Sequence, residues 1–346
     1  MTRRRIYLPG YPPRRVSFHP GLSGASVPTV TIVLLNWNSA PVVFDAAASA
    51  LAQRGVGVDL LIVDNGSTDD SLAELRRRFP GARFLEMGWN SGFTGGMNAG
   101  TAAARGDYVL WQNADLVLDE GYCAEAVREM EADGSIGAMG GRVCRLVDGK
   151  KTDQFDASGY TLSRAHRALF RPDAREVIGV SGSCPLLRIK ALKAIRTPVG
   201  YVLDPTYFTY GEDIDVMLRL NLGGWRVVAS PAMRAWHIRS GSSAAASRFY
   251  EKSDATQVRH LRNRLATIIK TWPAPMLRRR LPILALVELA LPFYLLGRRP
   301  QSLLNWVTAW KEVWRDHRRL LSDRRAIQSH AAPEATRRLI ALLSAD

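Results

Sequence analysis

From Thr29 onward, short runs rich in Val, Ile and Leu alternate with longer stretches whose apolar residues recur at helical spacing. Segments 30–35, 60–63, 83–87 and 108–111 read as strands, and the Ala-rich 40–53, then 69–79 and 96–104, read as the helices between them. Alternation at this length predicts an α/β domain built on a mostly parallel sheet with helices on both faces. In such sheets ligands bind beyond the carboxyl ends of the strands, so the residues just after each apolar run are the candidates for function.

Those four strand ends are all polar: Asn36-Trp37-Asn38, then Asp64-Asn65-Gly66-Ser67-Thr68-Asp69, then Asn90-Ser91-Gly92, then Asn113-Ala114-Asp115. Any one of them reads equally as a turn or a helix cap, Ser67 and Thr68 above all. Four on one sheet edge predict a polar crevice, whose short Asn and Asp side chains suit hydrogen bonds to a base and ribose or to a divalent cation.

Charge changes the picture once it is located. Residues 1–28 hold five arginines and no acid, and residues 256–346 hold 17 Lys and Arg against 6 acids, so the flanks account for the whole net charge of +15. The motif-bearing segment is close to neutral, which argues against a nucleic-acid enzyme and points the basic flanks at an anionic membrane surface. Residues 1–28 have no apolar core segment and read as a basic arm, not a secretory signal. Cys123, Cys144 and Cys184 are scattered without metal-type spacing, which fits a reducing, cytoplasmic compartment.

These motifs, with Tyr210-Gly211-Glu212-Asp213-Ile214-Asp215, Arg219 and Gly224-Trp225-Arg226-Val227, resemble glycosyltransferase family 2, and within it the bacterial rhamnosyltransferase-like members, over residues 28–240. The resemblance implies the GT-A nucleotide-diphospho-sugar transferase fold and an inverting transfer of one sugar, with dTDP-L-rhamnose as the leading donor. It implies that Asn36, Asn38, Asp64, Asn65 and Ser67 line the nucleotide pocket, with Asp64 aimed at the base or ribose. The segment carrying Asn90, Gly92 and Asn98 would close over the nucleotide, with Asn113 beside it. Asp115 and His237 would hold Mg²⁺ or Mn²⁺, although a lone histidine also reads as a packing residue. Asn113 stands where many GT-A enzymes carry a second carboxylate. Asp213 is the implied general base with Glu212 orienting acceptor or neighbours, whereas acids at a helix start also suit the helix dipole. Asp215 and Arg219, four apart, read as a structural pair. Segment 180–188 resembles the glycine-centred strand that leads into the acceptor region.

The implied partners are a nucleotide-diphosphate-sugar donor and a glycan or polyprenyl-linked acceptor, at the inner face of the cell membrane. After residue 255 the chain becomes basic and helical. The apolar run 281–297 contains Pro282, Glu288 and Pro292 and, at 17 residues, falls short of the roughly 20 needed to span, so an interfacial or re-entrant segment is expected. The alternative is a helical subdomain packed on the core or on a second copy of the chain. The expected organisation is therefore a basic arm (1–28), a catalytic domain (29–255) and a basic amphipathic helical region (256–346). The rivals are a processive synthase, which lacks support because no Gln-x-x-Arg-Trp motif occurs, and a catalytically silent sugar-nucleotide binder or scaffold. A nucleotidyltransferase would open with a glycine-rich basic loop where this chain has Asn36-Trp37-Asn38.

Overall fold

A computed structural model describes residues 27–40, 42–197, 199–238 and 248–344. Nearly all of the basic arm, and the last two residues of the resemblance, lie outside the described residues.

Strands β1 (Thr29–Asn36), β2 (Gly57–Asp64), β3 (Arg83–Glu86) and β4 (Tyr108–Asn113) are mutually parallel, with helices α1 (Val43–Leu51), α2 (Ser71–Arg78) and α3 (Gly92–Ala102) as the crossovers. The second half adds β5 (Leu116–Leu118), α4 (Tyr122–Ala132), β6 (Ile136–Val147), β7 (Lys150–Ala157), β8 (Gly159–Leu162), β9 (Ala168–Phe170), β10 (Gly179–Val180) and β11 (Leu186–Arg188). Helices α5 (Ile189–Ala194) and α6 (Glu212–Leu222) and strand β12 (Arg226–His237) follow. The main sheet runs β3-β2-β1-β4-β11-β6-β12-β5, with β7 paired to β6; β11 is antiparallel to both neighbours and β12 is parallel to β6. β8, β9 and β10 form a separate three-stranded sheet.

Strand alternation divides the core into two layers. Ile32, Leu34, Leu60 and Ile62 face Ala46, Ala50, Ala126 and Met130 of α1 and α4, whereas Val33, Leu61 and Val63 face Met97, Leu192, Val216 and Leu220 of α3, α5 and α6. Helices on both faces leave only the strand ends free to carry chemistry.

Two expectations change. The helix expected at 96–104 begins at Gly92, whose φ of +74° admits the tight entry from β3. Strand β12 carries the chain from Arg226 through a register shift between Ser230 and Arg234, so His237 is its last residue. The run 281–297 lies within one continuous helix, α8 (Ala274–Arg298), 25 residues long with a mean hydropathy of 1.6 over its most apolar 18-residue window. It is long and apolar enough to cross a membrane, so the objection from length does not hold.

The helical region packs on the α/β domain through α7 (Asp254–Thr271), α9 (Gln301–Ser329) and α10 (Pro333–Ser344). The expected boundary at 255 falls in the first turn of α7. Trp272, Leu339 and Leu343 join Leu218 and Leu222 of α6 in one buried cluster, and Val313 and Leu320 of α9 join Tyr207 in another. Asp215 and Arg219 do pair, at 2.8 Å, but as part of a buried network in which Lys270 Nζ lies 2.9 Å from Asp215 Oδ1 and 3.0 Å from Asp204 Oδ2.

Candidate active site

The polar strand ends first bond to one another. Asn36 is fully buried; its Nδ2 donates to Asp64 Oδ1 at 2.8 Å, to Ser71 Oγ at 2.9 Å and to Ser67 Oγ at 3.1 Å. Asp64 Oδ2 accepts from the backbone N–H of Gly66 and Ser67, an Asx-type turn. Asn38, at φ +47°, accepts at Oδ1 from the Thr68 N–H at 2.7 Å. Asn65 clips the next loop: Nδ2 donates to Asn90 Oδ1 and to the Gly92 carbonyl, and Oδ1 accepts from the Ser91 N–H and hydroxyl. Asn98 is buried, with both ends of its amide bonded to the backbone of Leu203. Thus Asn36, Asp64, Asn65 and Asn98 tie the strand ends to the loops that follow them, and Asn38 and Ser67 hold the turn after β2.

A second group gathers around the end of β12. His237 Nε2 lies 3.1 Å from Asp115 Oδ1, although 122 positions separate them, and His237 Nδ1 lies 3.0 Å from Asp156 Oδ2. Burial disfavours a charged ring, but the two carboxylates outweigh it and raise His237 to about 9. Two acids therefore flank the ring, and a cation on Nε2 would take the place of its proton. Asp156, on β7, has no signal in the sequence; only the pairing of β7 with β6, and of β6 with β12, brings it to His237.

Among the described residues no group of three or more His, Cys, Asp and Glu side chains is arranged to hold a metal. Asp115 and His237 nonetheless fit a shared hard cation. Donors 3.1 Å apart match adjacent ligands of an ion bound at about 2.1 Å, and Asp156 on the far ring nitrogen would fix the tautomer that leaves Nε2 free.

The acids of α6 face the same edge through segment 180–188. The Asn113 N–H donates to the Ser183 carbonyl at 3.0 Å, and Gly182 lies so close to Asp213 that a Cβ there would meet the Asp213 Cβ at 2.8 Å. Asp213 accepts from the Ile214 and Gly182 N–H groups, and burial raises its pKa nonetheless. Glu212 is buried with Oε2 lacking a hydrogen-bond partner; burial, then the charge of Asp213, pushes it up strongly. The Tyr160 hydroxyl, also buried without a partner, is pushed well above its usual value by burial and then by Asp213 and Glu212. An edge that carries the Asp115–His237 pair and the adjacent acids Glu212 and Asp213 can bind a charged ligand and accept a proton from a second one.

Residues 31–196 match the model of glycosyl transferase family 2. With the sheet order and strand-end motifs above, this identifies residues 31–196 as a glycosyltransferase family 2 domain with the GT-A fold. The N-acetylglucosaminyl-diphospho-decaprenol L-rhamnosyltransferase of Mycobacterium tuberculosis is 28% identical, over 58% of this chain and 72% of that protein. The succinoglycan biosynthesis protein ExoO of Rhizobium meliloti is 32% identical over 37% of each chain, so the present chain spans little more than a third of that relative. Among solved structures, S. aureus TarS 1-349 with UDP-GlcNAc has a TM-score of 0.55 at 14% identity, covering 87% of this chain and 90% of that one. A Pyrobaculum calidifontis mannosyltransferase with GDP-Man and Mn²⁺ has a TM-score of 0.54 at 18% identity, covering 96% and 90%. At those identities the likeness shows the fold.

Proposed function

We propose that this chain is an inverting, metal-dependent glycosyltransferase that moves one sugar, L-rhamnose from dTDP-L-rhamnose, onto a hydroxyl of a lipid-linked glycan at the inner face of the cell membrane. The observation that carries the reading is the pairing of Asp115 with His237 on the edge where Gly182 abuts Asp213. Asp115 and His237 would hold Mg²⁺ or Mn²⁺, which as a Lewis acid offsets the charge developing on the departing nucleoside diphosphate. The turns set by Asn36, Asn38, Asp64, Asn65 and Ser67 cradle the nucleotide, and the Asn90 to Asn98 segment borders it. Asp213 takes the proton from the acceptor hydroxyl as that oxygen attacks the anomeric carbon. Glu212, held protonated by burial beside it, leaves Asp213 as the one ionised acid of the pair. The rhamnosyltransferase relative, named for an N-acetylglucosaminyl-diphospho-decaprenol acceptor, supports sugar and acceptor class.

Asn113, in place of a second carboxylate, also suits a catalytically silent sugar-nucleotide binder. Thermal unfolding with and without donor tests the binding that both readings share, and transfer by wild type against Asp213→Asn separates them. Saturation of the folded state to about 100 times Kd is expected to add about 2.7 kcal/mol. The gain with dTDP-L-rhamnose should require Mg²⁺ or Mn²⁺ and vanish in His237→Ala. A metal-independent gain, or one that survives this substitution, would refute the metal assignment.

The membrane reading rests on α8. Leu281, Leu286, Leu289, Phe293 and Leu296 are all more than half exposed on it, and Arg278, Arg279 and Arg298 flank them. Its one acid, Glu288, is turned inward: Oε2 accepts from Trp306 and Trp310 Nε1, each at 3.1 Å, and Oε1 pairs with Arg264. The outer face is thus apolar with a cationic border, which suits an anionic leaflet. In flotation on phosphatidylcholine vesicles containing phosphatidylglycerol, wild type should float and Leu289→Glu/Phe293→Glu should stay at the bottom with an unchanged melting temperature. Equal flotation of both would reject α8 as the contact. Truncation after Thr271 is a poorer test because it would also remove α9 and α10 from the core.

A further inference from the structure

The turn that delivers the acids of α6 is conformationally costly. Phe208, Tyr210 and Gly211 have φ of +61°, +72° and +85°, and L side chains rarely adopt the first two. Such a turn persists only where its surroundings over-determine it. On the donor side, the Phe208 carbonyl accepts from the Thr94 N–H at 3.1 Å, and Gly92 lies so close that a Cβ there would come within 2.5 Å of the same oxygen.

The other side is held by α7, which lies beyond the family match. Asn263 is 1% exposed, and its Nδ2 faces the carbonyl oxygens of Tyr207 at 3.0 Å, Thr209 at 3.1 Å and Tyr210 at 2.8 Å. Its Oδ1 accepts from Arg262 Nη1 at 3.0 Å. Because a guanidinium can only donate, this bond orients the amide with its NH₂ toward the three carbonyls. Arg262 is itself anchored by the Thr206 hydroxyl at 2.9 Å and by Asp316 of α9 at 2.7 Å. Two amide protons therefore gather three carbonyls that would otherwise point together unbalanced.

We infer that Asn263 is a positioning residue for sugar transfer: from the helical region, it holds the 207–211 turn in the form that sets Asp213 against Gly182. The inference rests on the reading of Asp213 as the base. It also gives the helical region a part in the chemistry, since the loop it clamps touches the donor-side segment at Gly92 and Thr94.

The test substitutes Asn263→Asp, which keeps size but cannot donate in its ionised form, so three carbonyls would face an acceptor. Leu339→Ala serves as a control: it leaves a cavity in a buried cluster and makes none of these bonds. Transfer is read as labelled rhamnose moved from dTDP-L-rhamnose into the solvent-extractable lipid of bacterial membranes. Asn263→Asp should lower kcat at least tenfold, leave stabilisation by donor intact, and speed amide exchange at 207–213 at least tenfold with no change at 30–36. Leu339→Ala should lower the melting temperature while leaving exchange at 207–213 and transfer as in wild type. Unchanged exchange at 207–213, or turnover by Asn263→Asp equal to that of the control, would overturn the inference. Asn263→Ala, which removes the bonds without adding charge, takes its place should the aspartate variant not fold. Retained transfer in Asp213→Asn would instead sink the base assignment, and the exchange result would still decide whether Asn263 holds the turn.

Discussion

Asp213→Asn is expected to reduce transfer roughly a hundred- to ten-thousand-fold, the range that a positioned general base supplies. The amide keeps the size of the carboxylate and can still accept from the Ile214 N–H, but it cannot take the acceptor's proton. Donor binding is assigned to other residues, the turns from Asn36 to Asn98 and Asp115 with His237, so nucleotide-sugar should stabilise the variant as it does wild type. Because burial raises Asp213, the acid limb of kcat/KM against pH should lie above the usual carboxylate range, with rate lost as pH falls and the base protonates. Glu212→Gln should leave that limb in place, since a protonated Glu212 and the amide are both neutral neighbours of Asp213. Normal turnover by Asp213→Asn would exclude the assignment.

Lys270→Met should give the largest loss of stability. Lys270 is 1% exposed and sits between Asp204 and Asp215, over the ring of Tyr207 at 4.5 Å; methionine keeps the stem and removes the charge. Two buried carboxylates would lose a shared cation, a change that typically costs 3–5 kcal/mol. Arg319 still pairs with Asp204 at 2.9 Å and Arg219 with Asp215 at 2.8 Å, so about 3 kcal/mol is expected, read as a lower urea midpoint at unchanged slope. A loss below about 1 kcal/mol would show that the arginines suffice. Burial alone would raise Asp204, but Lys270, Arg319 and Arg262 hold it well below the usual carboxylate range. A depressed folded-state pKa stabilises above the unfolded value near 3.9 and loses that contribution as pH falls below it. Wild type should therefore unfold in acid with a steeper dependence than Lys270→Met.

The network also explains why the helical region reads differently in sequence and in space. Seventeen basic residues after position 255 suggest a solvated, membrane-facing surface, yet Lys270, Arg262 and Arg280 are buried. Lys270 and Arg262 neutralise acids brought from the α/β domain and from α9. Charge counted along a chain cannot tell a cation that meets a leaflet from one that meets a distant aspartate. On α8 the same limit worked the other way: Glu288 and two prolines spoke against a long helix, but Arg264, Trp306 and Trp310 take up the acid and the helix runs through both prolines.

What the sequence determined by itself was local. Alternating apolar runs specify β1 to β4 and their crossovers because strand and helix periodicities are set by backbone geometry, and polar strand ends follow from a sheet covered on both faces. The family, too, was legible in the ordered motifs from Asn36 to Asp213. Only the tertiary structure decided which polar groups meet: Asp156 with His237 across paired strands, Gly182 with Asp213, and Asn263 with the carbonyls of 207, 209 and 210. Those contacts join positions about thirty residues or more apart. No period or spacing encodes them, because they arise from packing whole elements together.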